Sequence, residues 1–502
     1  MSEDTTMQLN DDQQRAFDLI KQFADDAVSD VFILRGYAGT GKTTLMKCVI
    51  GFLKANDKAF SLLASTGRAA KVLSNLTRYE ATTVHGCIYD FNGLSGNLES
   101  IVEERDKEHT DSGDALLLKF STDSDDSKGH IYIVDEASMV SDVPSAENAQ
   151  ASFGSGRLLH DLFEFSPYGK FIFVGDMCQL PPVNQRISPA LSADYIRETY
   201  RKNVDGAELT QVMRQEGDND IPLAASKLRS LYFSPQPWVW AKFPIKGFDH
   251  VHLLPTRDVL HQLYIKDVRE NGFKACTLIC QSNNQCNKVT QVVRSALGRP
   301  YTLCEGDLLL VTQNNMVSGL MNGDLVRVEA IGRAALDGGD HQKEVVQWLN
   351  DPYVRENGSM VHVQKAGLSF VLVCVRELFT GKLYMQYVLE TLLYQNTLNV
   401  TPEQHKELFV DFYRRMKAKG IRQKSPEFRM RMYSDPFLNA LRCTWGYALT
   451  CHKSQGGEWN RVYLDLSRNI GKMDKPQVYQ WMYTAVTRAK CDLYVVNDFY
   501  LM

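Results

Sequence analysis

The strongest constraint on this chain is a glycine-rich loop at residues 36–43, which reads Gly-Tyr-Ala-Gly-Thr-Gly-Lys-Thr. This string matches the phosphate-binding pattern G-x-x-x-x-G-K-[ST] at every fixed position. Apolar stretches at 31–34 and 45–50 flank it, so the sequence predicts a strand, a loop and the first turn of a helix. Backbone N–H groups of such a loop surround an anion, and the helix dipole adds partial positive charge. The loop therefore predicts a nucleotide site in an α/β fold.

Individual residues of the loop have separate predicted tasks. We expect Lys42 to reach the β- and γ-phosphates and Thr43 to hold Mg²⁺ through its hydroxyl. The other predicted nucleotide contacts in and beside the loop are Gly36, Gly39, Thr40, Gly41 and Thr44. ATP and Mg²⁺ are the cofactors that this set of residues implies.

Two later apolar runs end in polar side chains, at the strand ends where α/β sheets bind ligands. The run at 131–134 ends in Asp135 and Glu136. We expect Asp135 to complete the Mg²⁺ site and Glu136 to orient or deprotonate the attacking water. The run at 171–174 leads into Gly-Asp-Met-Cys-Gln-Leu-Pro-Pro, in which Gln179 can donate to the γ-phosphate and accept from water. A solvated strand end and an ordinary proline turn are the simpler alternatives.

Composition adds weaker limits. A chain of 502 residues has room for about three or four domains. Its N-terminus is acidic and lacks a signal-peptide core, so we expect a cytoplasmic location, in a bacterial or phage-infected cell, with no membrane partner. Three of the eleven cysteines cluster at positions 276, 280 and 286, and we expect them to pack as small apolar side chains. The net charge of −4 does not favour nucleic-acid binding, but it is weak evidence against it, because a DNA-binding groove needs only local positive charge.

Six further strings, taken in chain order, make the chain resemble the superfamily 1B helicases of the RecD-like and phage Dda-like branch. They lie at residues 9–17, 64–71, 82–86, 209–215, 450–459 and 483–489. The resemblance implies an ATP-dependent DNA helicase that moves 5′ to 3′ on single-stranded DNA and unwinds duplex DNA.

The resemblance also implies roles for single residues. Gln13 would contact the adenine, and Gly456 and Glu458 would lie at the nucleotide, with Glu458 on the ribose. Arg214 and Arg488 would be two arginine fingers at the γ-phosphate. The residues that would contact DNA are Thr66, Arg68, Thr83, His85, Asn283, Thr450, His452, Lys453 and Ser454.

The implied fold class is α/β, with two RecA-like parallel-sheet domains, a small 1B insertion and an SH3-like β-barrel 2B insertion. We predict the first RecA-like domain at 1–86 and 130–215 and the second at 216–300 and 441–502. The 1B insertion would occupy 87–129 and the 2B insertion 301–440. In this family a hairpin of 1B splits the duplex, and two apolar stretches, 89–91 and 116–120, are open alternatives for it.

A basic segment lies near the end of the predicted 2B insertion. Thr401 and Gln404 form a capping-box pattern around a proline, which predicts a helix that ends near Gly420. Eight basic residues lie between positions 414 and 431, across the end of this helix, opposed only by Glu427 and interleaved with Phe428 and Tyr433. The segment is either a DNA-facing arm or a solvated charged face.

Two other functions stay open from the sequence. One is an ATP-regulated DNA-binding or translocase subunit of a recombination, repair or defence complex, with little unwinding of its own. The other is an RNA-directed enzyme of the same superfamily. The expected partners are single-stranded DNA and junctions of single- and double-stranded DNA. A single-strand-binding protein or replication and recombination proteins are further expected partners.

Overall fold

The computed structural model describes residues 9–107, 116–144, 150–212, 219–237, 239–315, 317–332, 362–395 and 399–502. Arg214, one of the two predicted arginine fingers, lies outside these residues. Two parallel sheets, one antiparallel sheet and a small three-stranded sheet organise the described chain. Within the described ranges, no helix is both long and apolar enough to cross a membrane.

The first parallel sheet holds the phosphate loop. Its strand order is β3-β2-β6-β8-β1-β9. The strands are β1 (Val31–Gly36), β2 (Phe60–Ala64), β3 (Ala81–Thr83), β6 (Ile131–Asp135), β8 (Lys170–Gly175) and β9 (Val204–Leu209). All neighbours pair in parallel. The central strands are nearly continuous apolar runs, which is the pattern of strands that are covered on both faces.

Helices cover both faces of this sheet. Those that belong to this half are α1 (Asp11–Asp25), α2 (Lys42–Ala55), α3 (Gly67–Thr77), α4 (Val84–Ile88), α6 (Leu158–Phe165) and α7 (Ala193–Tyr200). Alternate residues of β1 face opposite cores, as the two-residue period of a strand requires. Phe32 packs with α1 and α2, whereas Ile33 packs with the side of α4 and α6.

The second parallel sheet has the strand order β10-β20-β19-β11-β18. Its strands are β10 (Val251–Leu254), β11 (Cys276–Cys280), β18 (Leu449–Thr450), β19 (Trp459–Asp465) and β20 (Ala489–Val496). Its helices are α8 (Ile221–Phe233), α9 (Arg257–Asn271), α10 (Asn283–Ala296), α14 (Cys451–Ser454) and α15 (Gln477–Val486). The three clustered cysteines are buried in the apolar core of this sheet, in agreement with the packing role expected from the sequence.

The antiparallel sheet closes on itself. Its strands are β12 (Leu308–Val311), β13 (Leu325–Ile331), β14 (His362–Lys365), β15 (Leu368–Glu377), β16 (Leu383–Leu389) and β17 (Cys443–Trp445). The open ends meet where Leu441, just before β17, exchanges backbone hydrogen bonds with Tyr387 and Leu389 of β16. The predicted class, α/β with two parallel sheets and a barrel-like insertion, is therefore confirmed. The exact domain boundaries stay predictions.

The two stretches considered for the hairpin of 1B pair with each other. Strand β4 (Tyr89–Leu94) is antiparallel to β5 (Leu118–Thr122), with Phe91 opposite Phe120, and β7 (Ala151–Phe153) adds a parallel third strand. Helix α5 (Leu98–Lys107) follows β4. The sequence alternatives are thus two sides of one ribbon, and residues 108–115 between them lie outside the described chain.

Helices from the far end of the barrel insertion support this ribbon. They are α12 (Pro402–Ala418) and α13 (Pro426–Ser434), and a single turn, α11 (Thr391–Tyr394), precedes them. The predicted capping box at Thr401 is present, and Gly420 has the positive φ typical of a helix end. Leu98 and Leu116 share one apolar cluster with Phe412 of α12, so the insertions of the two halves pack against each other.

Candidate nucleotide site and nucleic-acid groove

The phosphate loop has the geometry that its sequence predicts. Gly39 and Gly41 have φ values of +80° and +75°, which favour glycine, and Gly41 is the residue that precedes α2. A Cβ at Gly36 would lie 2.8 Å from the hydroxyl oxygen of Thr40, so glycine is also required there. The Lys42 ammonium donates to the carbonyls of Gly36 at 2.7 Å and Tyr37 at 3.1 Å, across the concave side of the loop. The loop is a shaped cradle for an anion.

Gln13 joins the loop through hydrogen bonds that the sequence did not predict. Its side-chain oxygen accepts from the Asn10 amide, and the Asn10 side chain accepts from the Gln13 amide, which makes a capping box at the start of α1. Its side-chain nitrogen donates to the Thr40 carbonyl at 3.1 Å. Gln13 is buried beside the loop, and its role at the adenine stays a prediction. The three-residue spacing of Asn10 and Gln13 is the sequence pattern from which this capping box could have been predicted.

Two half-buried carboxylates lie at the end of β6. Asp135 accepts a 2.9 Å hydrogen bond from the amide of Glu136, whose φ of +51° is left-handed. Burial raises the pKa of both carboxyl groups. The charge of Asp135 raises the pKa of Glu136 further, and the positive charges of Arg488 and Lys42 oppose this. Such desolvated carboxylates are stabilised by a cation.

These residues fit a Mg²⁺ ion that is bound together with phosphate. Nowhere in the described chain do three or more His, Cys, Asp or Glu side chains form a group able to hold a metal alone. Mg²⁺ in nucleotide sites is usually held by one or two protein groups, phosphate oxygens and water. Thr43 begins α2 and Asp135 ends β6, so this sparse donor set suits that mode of binding.

Gln179 lies at the end of the loop that follows β8. Its side chain is only 3% exposed, and its amide oxygen has no hydrogen-bond partner among the described residues. An unpartnered buried acceptor is costly, so it is typical of a site that a ligand or water completes. Asp176 lies in the same loop, and burial raises the pKa of its carboxyl group.

Helix α15 of the second half contacts both the phosphate loop and the loop that follows β8. The hydroxyl of Tyr483 accepts from the Ala38 amide at 2.9 Å and donates to Asp176 at 2.6 Å. Gln480 donates to the carbonyl of Met177 at 3.0 Å. On the same helix, the Thr484 hydroxyl accepts from the Leu180 amide at 3.0 Å. Sequence reasoning missed these contacts, although Tyr483 opens one of the strings that carry the family resemblance.

Arg488 lies just beyond α15 and is 4% exposed. Its guanidinium donates to the carbonyls of Thr484 at 3.0 Å and Gly457 at 3.2 Å. Its positive charge opposes the rise that burial gives to the pKa of Glu136. Gly456 has a φ of +70° in the turn before β19. Glu458 is exposed and forms an ion pair with Lys490 at 3.2 Å.

The first-half residues predicted to contact DNA have local structural tasks. The Thr66 hydroxyl caps α3, and the Thr83 hydroxyl caps α4. His85 packs against the rings of Tyr89 and Phe153, and burial lowers its pKa.

Arg68 does not face an open groove in this structure. Its guanidinium lies over the ring of Phe379, at 4.5 Å, and over the ring of Trp459, at 4.6 Å, and the two rings meet edge-on. Burial lowers the pKa of Arg68 to about 10. Phe379 belongs to the β15–β16 turn of the barrel and Trp459 to β19, so Arg68, in α3, joins the first parallel sheet to the barrel and to the second parallel sheet.

Three second-half residues predicted to contact DNA come together. Asn283, Thr450 and Lys453 line one cavity of about 140 Å³ between α10, α14 and the barrel. His452, on the same short helix, is half-buried, and burial lowers its pKa. Ser454 is fully buried and donates to the Cys451 carbonyl at 2.8 Å, so its hydroxyl points into the protein.

The basic segment divides into structural and exposed residues. Arg415 is anchored by Asp411 at 2.8 Å and by Asp435. Phe428 is 3% exposed and packs against Phe412, so its ring belongs to the core beneath the basic segment. Tyr433 packs edge-on against Phe91 of the ribbon. The exposed basic side chains are Arg414, Lys417, Lys419, Arg422, Lys424 and Arg429.

Comparison with known proteins agrees with this arrangement. Residues 8–231 match the family described as an AAA domain, and residues 446–496 match the UvrD-like helicase C-terminal domain. The two matches cover the phosphate loop and carboxylates on one side and Glu458 and Arg488 on the other. They therefore include both halves of the site.

Individual relatives are helicases that the chain matches in part. It is 30% identical to the ATP-dependent RecD2 DNA helicase of Deinococcus radiodurans over 39% of this chain and 21% of that protein. It is 27% identical to the ATP-dependent DNA helicase Dda of Enterobacteria phage T4 over 41% of this chain and 39% of that protein.

Among solved structures, the Bacteroides Pif1 helicase with ADP-AlF3 and single-stranded DNA aligns over 98% of this chain and 93% of its own. The TM-score of that alignment is 0.46, at 16% identity. The chain thus contains an AAA domain followed by a UvrD-like helicase C-terminal domain, and it is similar in part to the RecD2 and Dda helicases.

Proposed function

We propose that this protein is an ATP-dependent DNA helicase that translocates 5′ to 3′ on single-stranded DNA and unwinds duplex DNA. The observation that carries the proposal is the hydrogen bonding of Tyr483, from the second half, to Ala38 and Asp176 of the first half. A nucleotide site shared by two halves makes their relative position depend on the bound nucleotide.

The chain's own residues would then act as follows. Lys42 would give up its hydrogen bonds to the loop carbonyls and bind phosphate oxygens instead. Thr43 and Asp135 would hold Mg²⁺. Glu136 and Gln179 orient the attacking water, and Arg488, with Arg214, stabilises charge on the transferred group. Bound Mg²⁺–ATP supplies the phosphoryl transfer that drives the cycle. Gln13, Gly456 and Glu458 hold the base and ribose.

DNA would run across the two halves. We propose that the strand contacts Thr66, Thr83 and His85 on one side and Asn283, Thr450 and Lys453 on the other. The ribbon of β4 and β5 meets the junction of single- and double-stranded DNA. We further propose the domain limits predicted above, a cytoplasmic location, and single-strand-binding or replication proteins as partners.

The test is strand separation with ATP on duplexes that carry only a 5′ or only a 3′ single-stranded tail. We expect unwinding of the 5′-tailed duplex alone and its loss in Lys42→Ala. Lys47→Ala, on the same helix α2, is the matched control and keeps the activity. Unwinding of neither duplex, with DNA-stimulated ATP turnover intact, would favour the subunit alternative, and stimulation by RNA alone would favour the RNA-directed one.

A further inference from the structure

An exposed tyrosine stands at the rim of the cavity that Asn283, Thr450 and Lys453 line. Tyr301 is one of the cavity's lining residues, yet 76% of its side chain is exposed. Its ring is stacked on the ring of Tyr394, with centroids 5.4 Å apart and planes 22° apart. One face of Tyr301 is thus supported while most of its surface stays in contact with solvent.

The tyrosine is held by a buried framework. The guanidinium of Arg294 donates to the Tyr301 carbonyl at 3.0 Å and to the Thr302 carbonyl at 2.8 Å. Arg294 is fixed in turn by a two-bond contact with the buried carboxylate of Asp307. An aromatic ring that is rigid before binding loses little conformational entropy when a ligand stacks on it.

The supporting ring is fixed as well. The hydroxyl of Tyr394 accepts from the Leu303 amide at 2.8 Å and donates to Glu390 at 3.1 Å. Behind it, Trp445 lies edge-on at 6.3 Å, and its indole nitrogen donates to the Leu393 carbonyl at 2.8 Å. The three rings form an ordered series from the solvent into the space between the barrel and the second sheet.

The cavity suits a planar group linked to an anion. Its volume of about 140 Å³ is several times the roughly 30 Å³ share of one water molecule. Its described lining includes the amides of Asn283, Gln291 and Gln395 and the ammonium of Lys453, and none of it is acidic. Amides can bond to the edge of a base, and an ammonium attracts a phosphate.

We propose that Tyr301, backed by Tyr394, is a stacking platform for one base of a single DNA strand that runs past Lys453. The platform rests on the proposed function, because it is a subsite of the same DNA path. Stacking on an aromatic ring accepts every base, so the platform would bind the strand without reading its sequence.

The test is binding of a fluorescein-labelled oligothymidine strand to the full chain, measured by anisotropy at fixed salt. We expect Tyr301→Ala to weaken binding about fivefold to a hundredfold, which is the range for one stacked base. Tyr301→Phe keeps the ring and should bind within about twofold of the wild type. Tyr168→Ala, another exposed tyrosine, is the matched control.

A strand with abasic sites along its length provides the second arm. The wild type should bind the abasic strand more weakly than oligothymidine, and Tyr301→Ala should discriminate less between the two. If the wild type binds the strand and Tyr301→Ala binds both strands as the wild type does, the platform is refuted while the proposed function stands. A wild type that binds no single strand refutes both proposals.

Discussion

The hydroxyl of Tyr483 donates a 2.6 Å hydrogen bond to the carboxylate of Asp176, although 307 positions separate the two residues in the chain. The same hydroxyl accepts from the amide of Ala38 in the phosphate loop. One buried oxygen thus connects the loop after β8, the phosphate loop and the helix that leads to Arg488. If nucleotide binding shifts either loop, the hydrogen bonds of Tyr483 would pass that shift to α15 and so to Arg488.

Removal of that oxygen should slow ATP hydrolysis. In Tyr483→Phe, the buried carboxylate of Asp176 and the half-buried amide of Ala38 each lose a partner, which costs roughly 1–3 kcal/mol in unfolding free energy. We expect ATP turnover to fall about tenfold, since each 1.36 kcal/mol lost from the reacting arrangement is tenfold in rate. Steady-state phosphate release and urea unfolding measure the two effects.

Tyr463→Phe is the control for this prediction. Tyr463 is also buried and donates to a buried carboxylate, Asp267, at 3.0 Å, but it lies in β19 away from the phosphate loop. We expect a similar loss of stability with ATP turnover kept. Equal turnover in the two variants would mean that the Tyr483 hydroxyl is only structural.

Arg68 should stabilise the joined arrangement of the three sheets. Arg68→Ala removes two cation–π contacts, so we expect the unfolding free energy to fall by about 1–3 kcal/mol. Arg68→Lys keeps the charge but loses the planar stacking, so its unfolding free energy should lie between those of the wild type and Arg68→Ala. The DNA-stimulated part of ATP turnover should fall more than the DNA-free part, because Arg68 contacts both the barrel and β19. Arg78→Ala, exposed at the end of α3, is the control, and an equal effect there would contradict the prediction.

His405 should make the contact between the two insertions sensitive to acid. Burial lowers the pKa of its imidazole to about 4, with the charge of Arg442 as a second cause. The Leu116 carbonyl lies 3.2 Å from Nδ1. The unfolded chain takes up the proton near pH 6.5, so the stability from neutral His405 is full above that pH. It is lost as the pH falls from there through about 4.

The loss should not exceed about 3.4 kcal/mol, which is the free energy that corresponds to a pKa lowered from 6.5 to about 4. Urea unfolding at pH 7 and pH 4.5 measures it, and His405→Gln, which does not titrate, serves as the reference. Between pH 7 and pH 4.5, we expect the unfolding free energy of His405→Gln to decrease less than that of the wild type. Parallel decreases for wild type and variant would assign the acid sensitivity to other groups.

The exposed part of the basic segment should add electrostatic affinity for DNA. We expect the combined change to alanine of Lys417, Arg422, Lys424 and Arg429 to weaken single-strand binding. The slope of log Kd against log salt should fall by up to about 3, since each phosphate contact on a single strand adds about 0.7. Changing Lys54, Lys128, Lys266 and Lys274, which are exposed elsewhere, controls for net charge. An unchanged slope in the first variant would make the segment a solvated face.

Local sequence patterns were sufficient for the parts of the site that are close in the chain. The phosphate loop between β1 and α2, the carboxylates after β6 and the capping box at Thr401 all depend on a few consecutive residues. Apolar runs predict buried strands, and a glycine pattern predicts the turn between them, because each follows from backbone sterics and side-chain periodicity within one element. The family resemblance added the order of the domains.

Tertiary structure alone decided which distant side chains meet. Nothing near Arg68 in the chain predicts that Phe379 and Trp459 both contact it, or that the strands holding Phe91 and Phe120 pair as one ribbon. Likewise, Tyr301 becomes a supported, exposed ring only because Arg294 and Tyr394 converge behind it. Such contacts depend on how whole elements pack, and packing is set by the combined shape of many side chains rather than by any local pattern. The sequence by itself thus determined the sheets and the loops at their edges, and the fold determined how those edges are joined.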